Sequence, residues 1–155
     1  MNKIISKEQF SEKVFKLEIE APMIAKSRRA GHFVIVRVDE KGERMPLTIA
    51  GSNLEKGTIT LVVQTVGLSS TKLCNLNEGD YVLDVVGPLG QATHIQNYGT
   101  VVCAGGGVGV APMLPIIQAL KAAGNRVISV LAGRSKELII LEDEIRASSD
   151  EVIIM

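Results

Sequence analysis

The sequence predicts a small antiparallel β-barrel followed by the first half of a parallel α/β unit. Short β-branched runs recur at near-regular spacing over residues 1–97, which is typical of a barrel. From residue 98 the order becomes strand, helix, strand, helix, strand, which is typical of a parallel sheet with crossover helices. We therefore predict two domains, 1–97 and 98–155, separated where Asn, Tyr and Gly interrupt both patterns.

Several segments carry the barrel prediction. Between Phe15 and Glu20, apolar and charged side chains alternate, as they do in a half-buried strand. Further strands are predicted at three β-branched runs bounded by Gly, Asn and charged turns: 33–38, 58–64 and 81–86. Two short helical stretches interrupt this region, around 23–29 and 69–76.

The second region begins with the apolar run TVVCA at 100–104, which leads into a glycine cluster. A helix is predicted over 111–124, where Gly124 and Asn125 form a good stop signal. A second apolar run at 126–132 follows. A charged helix (LEDEIRAS) and the final run EVIIM complete the pattern.

Composition excludes several classes of function. The 17 basic and 17 acidic residues give zero net charge, so there is no electrostatic argument for nucleic acid or an anionic membrane as a partner. No window approaches the roughly 18 apolar residues of a membrane span, and the N-terminus has no apolar secretion signal. We therefore expect a cytoplasmic protein. Cys74, Cys103 and two histidines do not have the spacing of a metal site or a disulfide framework.

The strongest local signal is the run CAGGGVGVAPM, Cys103 to Met113. A strand leading through glycines into a helix lets the backbone approach a pyrophosphate closely. Counted from Gly107 the spacing is G-x-G-x-x-P and not the usual dinucleotide fingerprint, so a tight turn that needs glycine only for packing is an equal alternative. Arg134 follows the second strand, where it either accommodates a 2′-phosphate or is a solvated loop residue.

Two stretches stand out in the β-rich region. GERMPLTIAG, at 42–51, places a cation, a proline and a hydroxyl beside apolar residues. VGLSSTKL, at 66–73, places a glycine and three hydroxyl residues at the start of a predicted helix. These hydroxyls either cap the helix or hold a phosphate. A further turn, GPLG at 87–90, ends the last barrel strand.

Taken in order, these motifs resemble the ferredoxin-NADP reductase superfamily. The resemblance covers all 155 residues and rests on R-x-P-L-T, V-G-x-S-S-T, G-P-L-G and G-G-G-V-G-V-A-P. The run AGRSKELIILEDEIRASSDEVII is similar to one branch, the small FAD subunits of NADH-dependent ferredoxin-NADP oxidoreductase and sulfide dehydrogenase. That branch is itself similar to the electron-transfer subunit of dihydroorotate dehydrogenase.

The resemblance implies a six-stranded antiparallel FAD-binding barrel and a truncated α/β nucleotide-binding domain. Its implied cofactors are FAD and NAD(P). The implied flavin ring contacts are Pro46, Leu47 and Thr48, and the implied FAD pyrophosphate contacts are Arg44, Gly67, Ser69, Ser70 and Thr71. The implied NAD(P) contacts are Gly105, Gly106, Gly107, Val108, Gly109 and Pro112, with Arg134 beside them. No side chain is required as a catalytic acid or base, and no residue is assigned to a metal.

The chain departs from this branch in its length. Members continue well beyond 155 residues and add a cysteine-rich [2Fe-2S] segment, so we expect the cluster only in that missing part of the family. We read the chain as a truncated product or fragment. We expect it to form a homo-oligomer, because later strands that would pair with the 100–104 run are missing.

The predicted function is that of a flavoprotein oxidoreductase that passes electrons between NAD(P)H, FAD and an iron–sulfur or ferredoxin partner, as a subunit of a larger oxidoreductase. The resemblance implies hydride transfer to flavin N5 followed by single-electron transfer. Two alternatives remain: a binding module that retains ligand without turnover, and a cofactor-free interaction subunit. Arg134 favours NADP while the resemblance favours NAD(H), and we prefer NAD(H) because a loop arginine has many structural uses.

Overall fold

Seven antiparallel strands and two short helices make up the first region of the computed structural model, which describes all 155 residues. The sheet order is β6-β1-β2-β5-β4-β3-β7. The strands are β1 Asn2–Gln9, β2 Val14–Glu20, β3 Phe33–Arg37, β4 Met45–Asn53, β5 Thr58–Gln64, β6 Tyr81–Val82 and β7 Asp84–Leu89. The helices are α1 Pro22–Ser27 and α2 Leu68–Cys74, which confirms both predicted helical stretches.

The predicted count of six strands is wrong by one, because the run at 81–86 divides at Leu83. Val82 pairs with β1 at one end of the sheet, whereas Asp84 pairs with β3 at the other end. Between them the Leu83 N–H donates to the Val38 carbonyl at 3.0 Å. One continuous segment therefore joins the two ends of the sheet and closes the barrel.

The barrel core follows from the strand alternation. On β2, Leu17 and Ile19 point inward and are fully buried, while Lys16 and Glu18 lie on the other face. The buried cluster of 16 residues draws on six of the strands, both helices and the ends of their connections. Burying each large aliphatic side chain of this core stabilises the barrel by about 1.5–3 kcal/mol.

The second region is a three-stranded parallel sheet with helices, as the sequence predicts. Its elements are β8 Thr100–Gly106, α3 Val110–Ala122, β9 Arg126–Ala132, α4 Glu142–Ala147 and β10 Glu151–Ile154. The strand order is β10-β9-β8, so the second and third strands lie on one side of the first. Strand β8 is an edge strand of this sheet.

Helix α3 joins the two regions. It packs against β4 of the barrel on one side and against β8 and β9 on the other. A second buried cluster of 14 residues contains Val14, Ala50 and Val62 from the barrel together with side chains of α3, such as Leu114 and Ile117. The α/β region therefore completes its core with residues of the barrel.

Asn125 fixes the connection between the two regions. Its Oδ1 accepts hydrogen bonds from the N–H groups of Tyr98 and Gly99, at 2.6 and 3.1 Å. Its Nδ2 donates to the carbonyls of Gln96 and Leu120, both at 2.9 Å. Asn125, which the sequence predicts as part of the helix stop, is thus also buried, and its side chain holds the connecting segment in place through hydrogen bonds.

Candidate functional site

The glycine loop divides into two pairs according to what surrounds each residue. A Cβ at Gly105 would lie 3.2 Å from the Met113 sulfur, and one at Gly106 would lie 3.2 Å from the Ala132 carbonyl oxygen. Contacts within the protein explain these two glycines. A Cβ at Gly107 or Gly109 would meet nothing within 4 Å. Packing does not require glycine at these two positions, and they leave backbone open to a ligand.

Gly107 also has a backbone requirement, because its φ of +56° is a conformation that β-branched residues rarely adopt. It opens a short 3-10 turn, Gly107–Gly109, that leads into α3. Pro112 lies in the first turn of α3, where its missing N–H costs no helical hydrogen bond. The predicted start of this helix, Ala111, is one residue late.

A cleft of about 920 Å³ opens beside this loop. Gly107, Val108 and Arg134 line it from the α/β region. The turn between β1 and β2 and the end of β5 line it from the barrel, through Ser11, Glu12, Lys13, Val14 and Gln64. Both regions therefore contribute walls to one cleft. It is large enough for a substantial part of a nucleotide.

The barrel residues of this cleft were missed by the sequence analysis. They carry no motif, and the turn at 11–14 reaches the glycine loop only because α3 packs on the barrel. Leu138 and Ile140, which line the same cleft after β9, were not singled out either. Periodicity gives no signal for such residues, because their role depends on tertiary contact.

Strand β4 exchanges partners in the middle, which leaves part of its backbone open. Residues Met45 to Thr48 pair with β3, and pairing with β5 begins only at Ile49. On the side facing β5, the backbone at 45–48 has no strand partner. Peptide groups on such an edge are available to a ligand.

Side chains on this segment alternate between the two faces of β4. Leu47 is partly buried and packs against the barrel core, as does Met45. Pro46 and Thr48 therefore lie on the opposite face. Of the three residues predicted to line a flavin ring, only these two present side chains on a common outer surface.

The start of α2 holds its hydroxyl groups in different ways. The Ser70 Oγ accepts hydrogen bonds from the N–H groups of Val66 and Gly67, at 2.9 and 3.1 Å, so it caps the helix. Ser69 Oγ donates to the Glu43 carboxylate at 3.2 Å. Thr71 is exposed and its hydroxyl makes no hydrogen bond within the protein. Gly67 precedes the helix with open space at its Cα.

The loop before β4 approaches α2 closely. Besides the contact of Glu43 with Ser69, Lys72 of α2 pairs with Asp39. The hydrogen bond from the Lys72 ammonium to the Asp39 carboxylate, together with the lysine charge, lowers the pKa of Asp39 below its ordinary value. A small cavity of about 120 Å³ separates the loop from α2.

Val66 and Leu68, which flank Gly67, are 78% and 87% exposed, so two large apolar side chains lie uncovered beside the start of α2.

Arg44 lies on the surface between these elements. One of its terminal nitrogens is 4.0 Å from Asp84 on β7, and both side chains are about half exposed. Such a pair contributes little to stability, typically less than about 1 kcal/mol. The guanidinium is therefore free to change partners.

The barrel coincides with a known protein family. The family model for the oxidoreductase FAD-binding domain matches residues 2–94, which include every barrel strand and both barrel motifs. The chain belongs to this family. It is also 45% identical over 154 residues to a Thermotoga maritima protein named as a dihydroorotate dehydrogenase B (NAD(+)) electron transfer subunit homolog. The electron transfer subunit of that name from Streptococcus pneumoniae is 29% identical over 148 residues.

The fold is shared along the whole chain. The solved structure of an NADH-dependent reduced ferredoxin-NADP oxidoreductase, described in work on flavin-based electron bifurcation, matches with a TM-score of 0.96 and 43% identity over 99% of this chain. Phthalate dioxygenase reductase matches with a TM-score of 0.79 at 22% identity, which shows a common fold. The chain spans 55% of the Thermotoga protein, 57% of the Streptococcus subunit and 56% of the first structure. The predicted superfamily is confirmed.

Three further findings bear on this FAD-binding family member. Its longest helix, α3, has 13 residues, and none of its helices combines the length and the apolar character needed to cross a membrane. No three His, Cys, Asp or Glu side chains gather in a group suited to a metal ion. Burial raises the pKa of Cys103 above its ordinary value, and raises that of Cys74 to about 11, so both thiols are protonated near neutral pH.

Proposed function

We propose that this chain is the FAD-binding and nucleotide-binding portion of an electron-transfer oxidoreductase. The single observation that carries the proposal is the family match over 2–94, because it covers both motifs predicted to contact FAD. The names of the similar proteins, electron transfer subunits and a ferredoxin-NADP oxidoreductase, support the same class. The partner is then a larger oxidoreductase subunit or a ferredoxin.

The residues present fit FAD. The open backbone edge at 45–48 and the outward face of Pro46 and Thr48 supply a polar and apolar surface for an isoalloxazine ring. The exposed side chains of Val66 and Leu68 would be covered by a bound cofactor. Bound FAD would supply the redox chemistry, accepting a hydride from a nicotinamide and passing single electrons onward.

In this proposal the chain binds and orients the cofactor. Thr48 donates or accepts a hydrogen bond near the ring, and Leu47 contributes through its main chain. Gly67, Ser69 and Thr71 face the pyrophosphate, while Ser70 holds the backbone turn in place by capping. Ser69 must exchange its bond to Glu43 for one to phosphate. Arg44 supplies a positive charge once it leaves Asp84.

The nucleotide is proposed to lie in the cleft beside the glycine loop. The backbone at Gly107, Val108 and Gly109 faces its pyrophosphate, and Gly105, Gly106 and Pro112 shape the loop from behind. Arg134 lies at the rim of the same cleft. We propose NAD(H) as the nucleotide, in keeping with the NAD(+) in the name of the Thermotoga maritima protein.

Two smaller proposals complete this function. We propose a functional division between 1–97 and 98–155, with FAD held by the first domain and NAD(H) by the second. We also propose that two copies of the 155-residue chain associate through the edge of β8, whose Val102 side chain is 65% exposed.

The flavin absorbance of the purified chain, after incubation with FAD and gel filtration, tests the proposal first. A yellow protein with one FAD per chain is the expected result. A colourless protein would favour the cofactor-free interaction subunit. Anaerobic addition of NADH should then bleach the flavin, whereas a stable yellow protein that NADH does not reduce would favour a binding module.

A matched pair of variants separates binding from capping at α2. Ser69→Ala should weaken FAD retention without lowering thermal stability, since its hydroxyl bonds only to an exposed carboxylate. Ser70→Ala should lower stability by about 1 kcal/mol, since it removes a cap. A third variant, Thr48→Val in β4, should change the rate of flavin reduction more than FAD content. If Ser69→Ala, Ser70→Ala and Thr48→Val all had the same FAD content and the same reduction rate, the assigned residues would be contradicted.

Gly109→Ala tests the nucleotide loop without backbone strain. Gly109 has φ −61°, which alanine adopts readily, and open space beside it, so the fold should be unchanged. The added methyl group should weaken NADH binding by about tenfold or more, as it blocks close approach of the pyrophosphate. Calorimetric titration measures this effect, and unchanged affinity would mean that the loop is only a turn.

A further inference from the structure

A second cleft lies beside the middle of α3, away from the glycine loop. Its volume is about 750 Å³. It is bounded by the turn between α1 and β3, by the connecting segment after β7, and by residues 115–119 of α3. The polar side chains that line it are Arg28, Arg29, Gln91, Thr93, His94 and Gln118. None of the residues assigned to FAD or to the nucleotide lines this cleft.

The cleft is positively charged, although the chain as a whole is neutral. Two arginines line it and no carboxylate does. None of the seven ion pairs of the molecule involves Arg28 or Arg29. The neighbouring acidic group is Glu144, which shares an adjacent small groove with Arg28 and Lys16, but it is not within 4.0 Å of either arginine's nitrogens. Two arginines therefore line the cleft, and neither of them forms an ion pair.

Arg28 is oriented by the protein. Its Nε donates to the Ser52 Oγ at 2.9 Å, which leaves the two terminal nitrogens without a side-chain partner. The side chain is partly buried, and this burial lowers its pKa from the ordinary value, so the charge is partly desolvated. Attraction to an anion is stronger at such a site than at a fully exposed one. A guanidinium fixed at Nε presents its remaining donors in a planar arrangement suited to phosphate.

The walls of the cleft are held together by specific backbone contacts. The Thr93 N–H donates to the Ala30 carbonyl at 2.9 Å, which ties the connecting segment to the α1–β3 turn. A Cβ at Gly31 would lie 2.5 Å from the Thr93 Oγ, so this approach depends on glycine. The Arg29 N–H donates to His32 Nδ1 at 2.9 Å and fixes the turn itself. The arginines are therefore presented on a preorganised surface.

We propose that this cleft binds a small molecule bearing a phosphate or pyrophosphate group. Arg28 and Arg29 would hold the phosphate oxygens, and the Gln91, Thr93, His94 and Gln118 side chains would provide further hydrogen bonds. An organic part of such a ligand would lie against Pro115 and Ala119. Because both the barrel and α3 line the cleft, the bound ligand would stabilise the contact between the two regions.

The two histidines provide a local probe for this proposal. His94 lines the cleft, His32 contacts Arg29, and the sequence contains no other histidine. Their ring signals in a proton–carbon NMR spectrum therefore report on this site alone, even if the probe also binds elsewhere. The experiment titrates inorganic pyrophosphate, and separately inorganic phosphate, into the 155-residue chain at constant pH and ionic strength.

The expected result is a saturable shift of the His94 ring signals with pyrophosphate. Arg28→Gln and Arg29→Gln should each raise the midpoint of that titration by about tenfold or more, since each removes a charged hydrogen-bond donor. Arg146→Gln is the matched control. It removes the same charge from α4, where Arg146 pairs with Glu142, and should leave the midpoint unchanged. Arg29 is exposed, so its variant keeps the fold.

Three results would overturn the proposal. They are no shift of the histidine signals, a shift that rises linearly without saturation, and equal midpoints in Arg29→Gln and Arg146→Gln. FAD content, measured on the same samples by absorbance, is independent of all three. A failure of this cleft to bind phosphate is therefore distinguishable from a failure of the proposed flavin function.

Discussion

The barrel and the α/β region solve the problem of exposed strand edges in different ways. In the barrel, β6 and β7 are consecutive in the chain, so the sheet closes and its 16-residue core is made only of barrel residues. In the α/β region, β8 has one strand partner, and the core is completed by Val14, Ala50 and Val62 of the barrel. The comparison indicates that the barrel is self-sufficient, whereas the α/β region depends on the barrel for its packing.

Removing one core side chain from each region should have the largest effect. Leu61→Ala in β5 and Ile117→Ala in α3 both truncate fully buried aliphatic residues and should each cost about 2–5 kcal/mol. Leu61→Ala should reduce amide protection throughout the molecule. Ile117→Ala should release residues 98–155 while the barrel amides stay protected, because their core contains no residue of α3.

Hydrogen exchange read by mass spectrometry separates these outcomes, with urea unfolding for the free energies. Two separate unfolding transitions in Ile117→Ala and a single one in Leu61→Ala would support a barrel that is stable without the α/β region. Equal loss of barrel protection in both variants would mean that the two regions unfold as one unit, and the comparison would then be wrong.

The next effect concerns the connection between the regions. Asn125→Ala removes four hydrogen bonds and leaves the Tyr98 N–H without its partner, while the Gly99 N–H keeps its bond to Asn97, so we expect a loss of about 2–4 kcal/mol. Amide hydrogen exchange should become faster in residues 96–99 and in α3, while the barrel amides should stay protected for longer. Asn97→Ala is a suitable control, because Asn97 is exposed and makes one hydrogen bond, to the Gly99 N–H.

The fold could be predicted from sequence where a pattern was local. Alternation in β2 and the glycine stop at the end of α3 were visible without the structure. Strand β1, Asn2–Gln9, was not predicted, because its central residues Ser6 and Lys7 are polar and half-buried. It is a strand because β2 and β6 pair with it. The division at Leu83 was hidden for the same reason, since only the two pairing partners distinguish β6 from β7.

The candidate site shows the same limit. The order of motifs was sufficient to predict the family, because glycine, proline and hydroxyl residues leave local signals. The roles within each motif depended on contacts that sequence does not contain. Ser69 and Ser70 look equivalent in the chain, yet one contacts Glu43 and the other caps α2. Gly106 and Gly107 are likewise adjacent, but only one of them faces open space.

A smaller effect should appear at the open edge of the α/β region. Val102→Lys places a charge on an exposed position of β8 and should change the stability of the monomer by less than about 0.5 kcal/mol. It should however reduce self-association, because edge lysines oppose strand pairing between chains. Light scattering after size exclusion, compared with Tyr81→Lys on exposed β6 of the closed barrel, measures this. A wild-type chain that is monomeric at high concentration would contradict pairing through β8.

The smallest expected effect is a pH dependence confined to the α/β region. Asp150 accepts hydrogen bonds from the Lys121 ammonium at 2.7 Å and from the Val127 N–H at 2.8 Å, so it links α3, β9 and the start of β10. These contacts lower the pKa of Asp150 below its ordinary value of 3.8. A carboxylate with a depressed pKa stabilises the folded state above its unfolded pKa, and this stabilisation disappears as pH falls through the folded pKa. Asp150→Asn should therefore lower the melting temperature at pH 7 and converge with the wild type in acid. In the barrel, Lys72 lowers the pKa of Asp39 in the same way, so Asp39→Asn should also lower the melting temperature at pH 7. The amide hydrogen exchange of residues 98–155 should however be unchanged in Asp39→Asn. If Asp39→Asn loosens the α/β region as much as Asp150→Asn does, the two regions are coupled more tightly than their separate cores indicate.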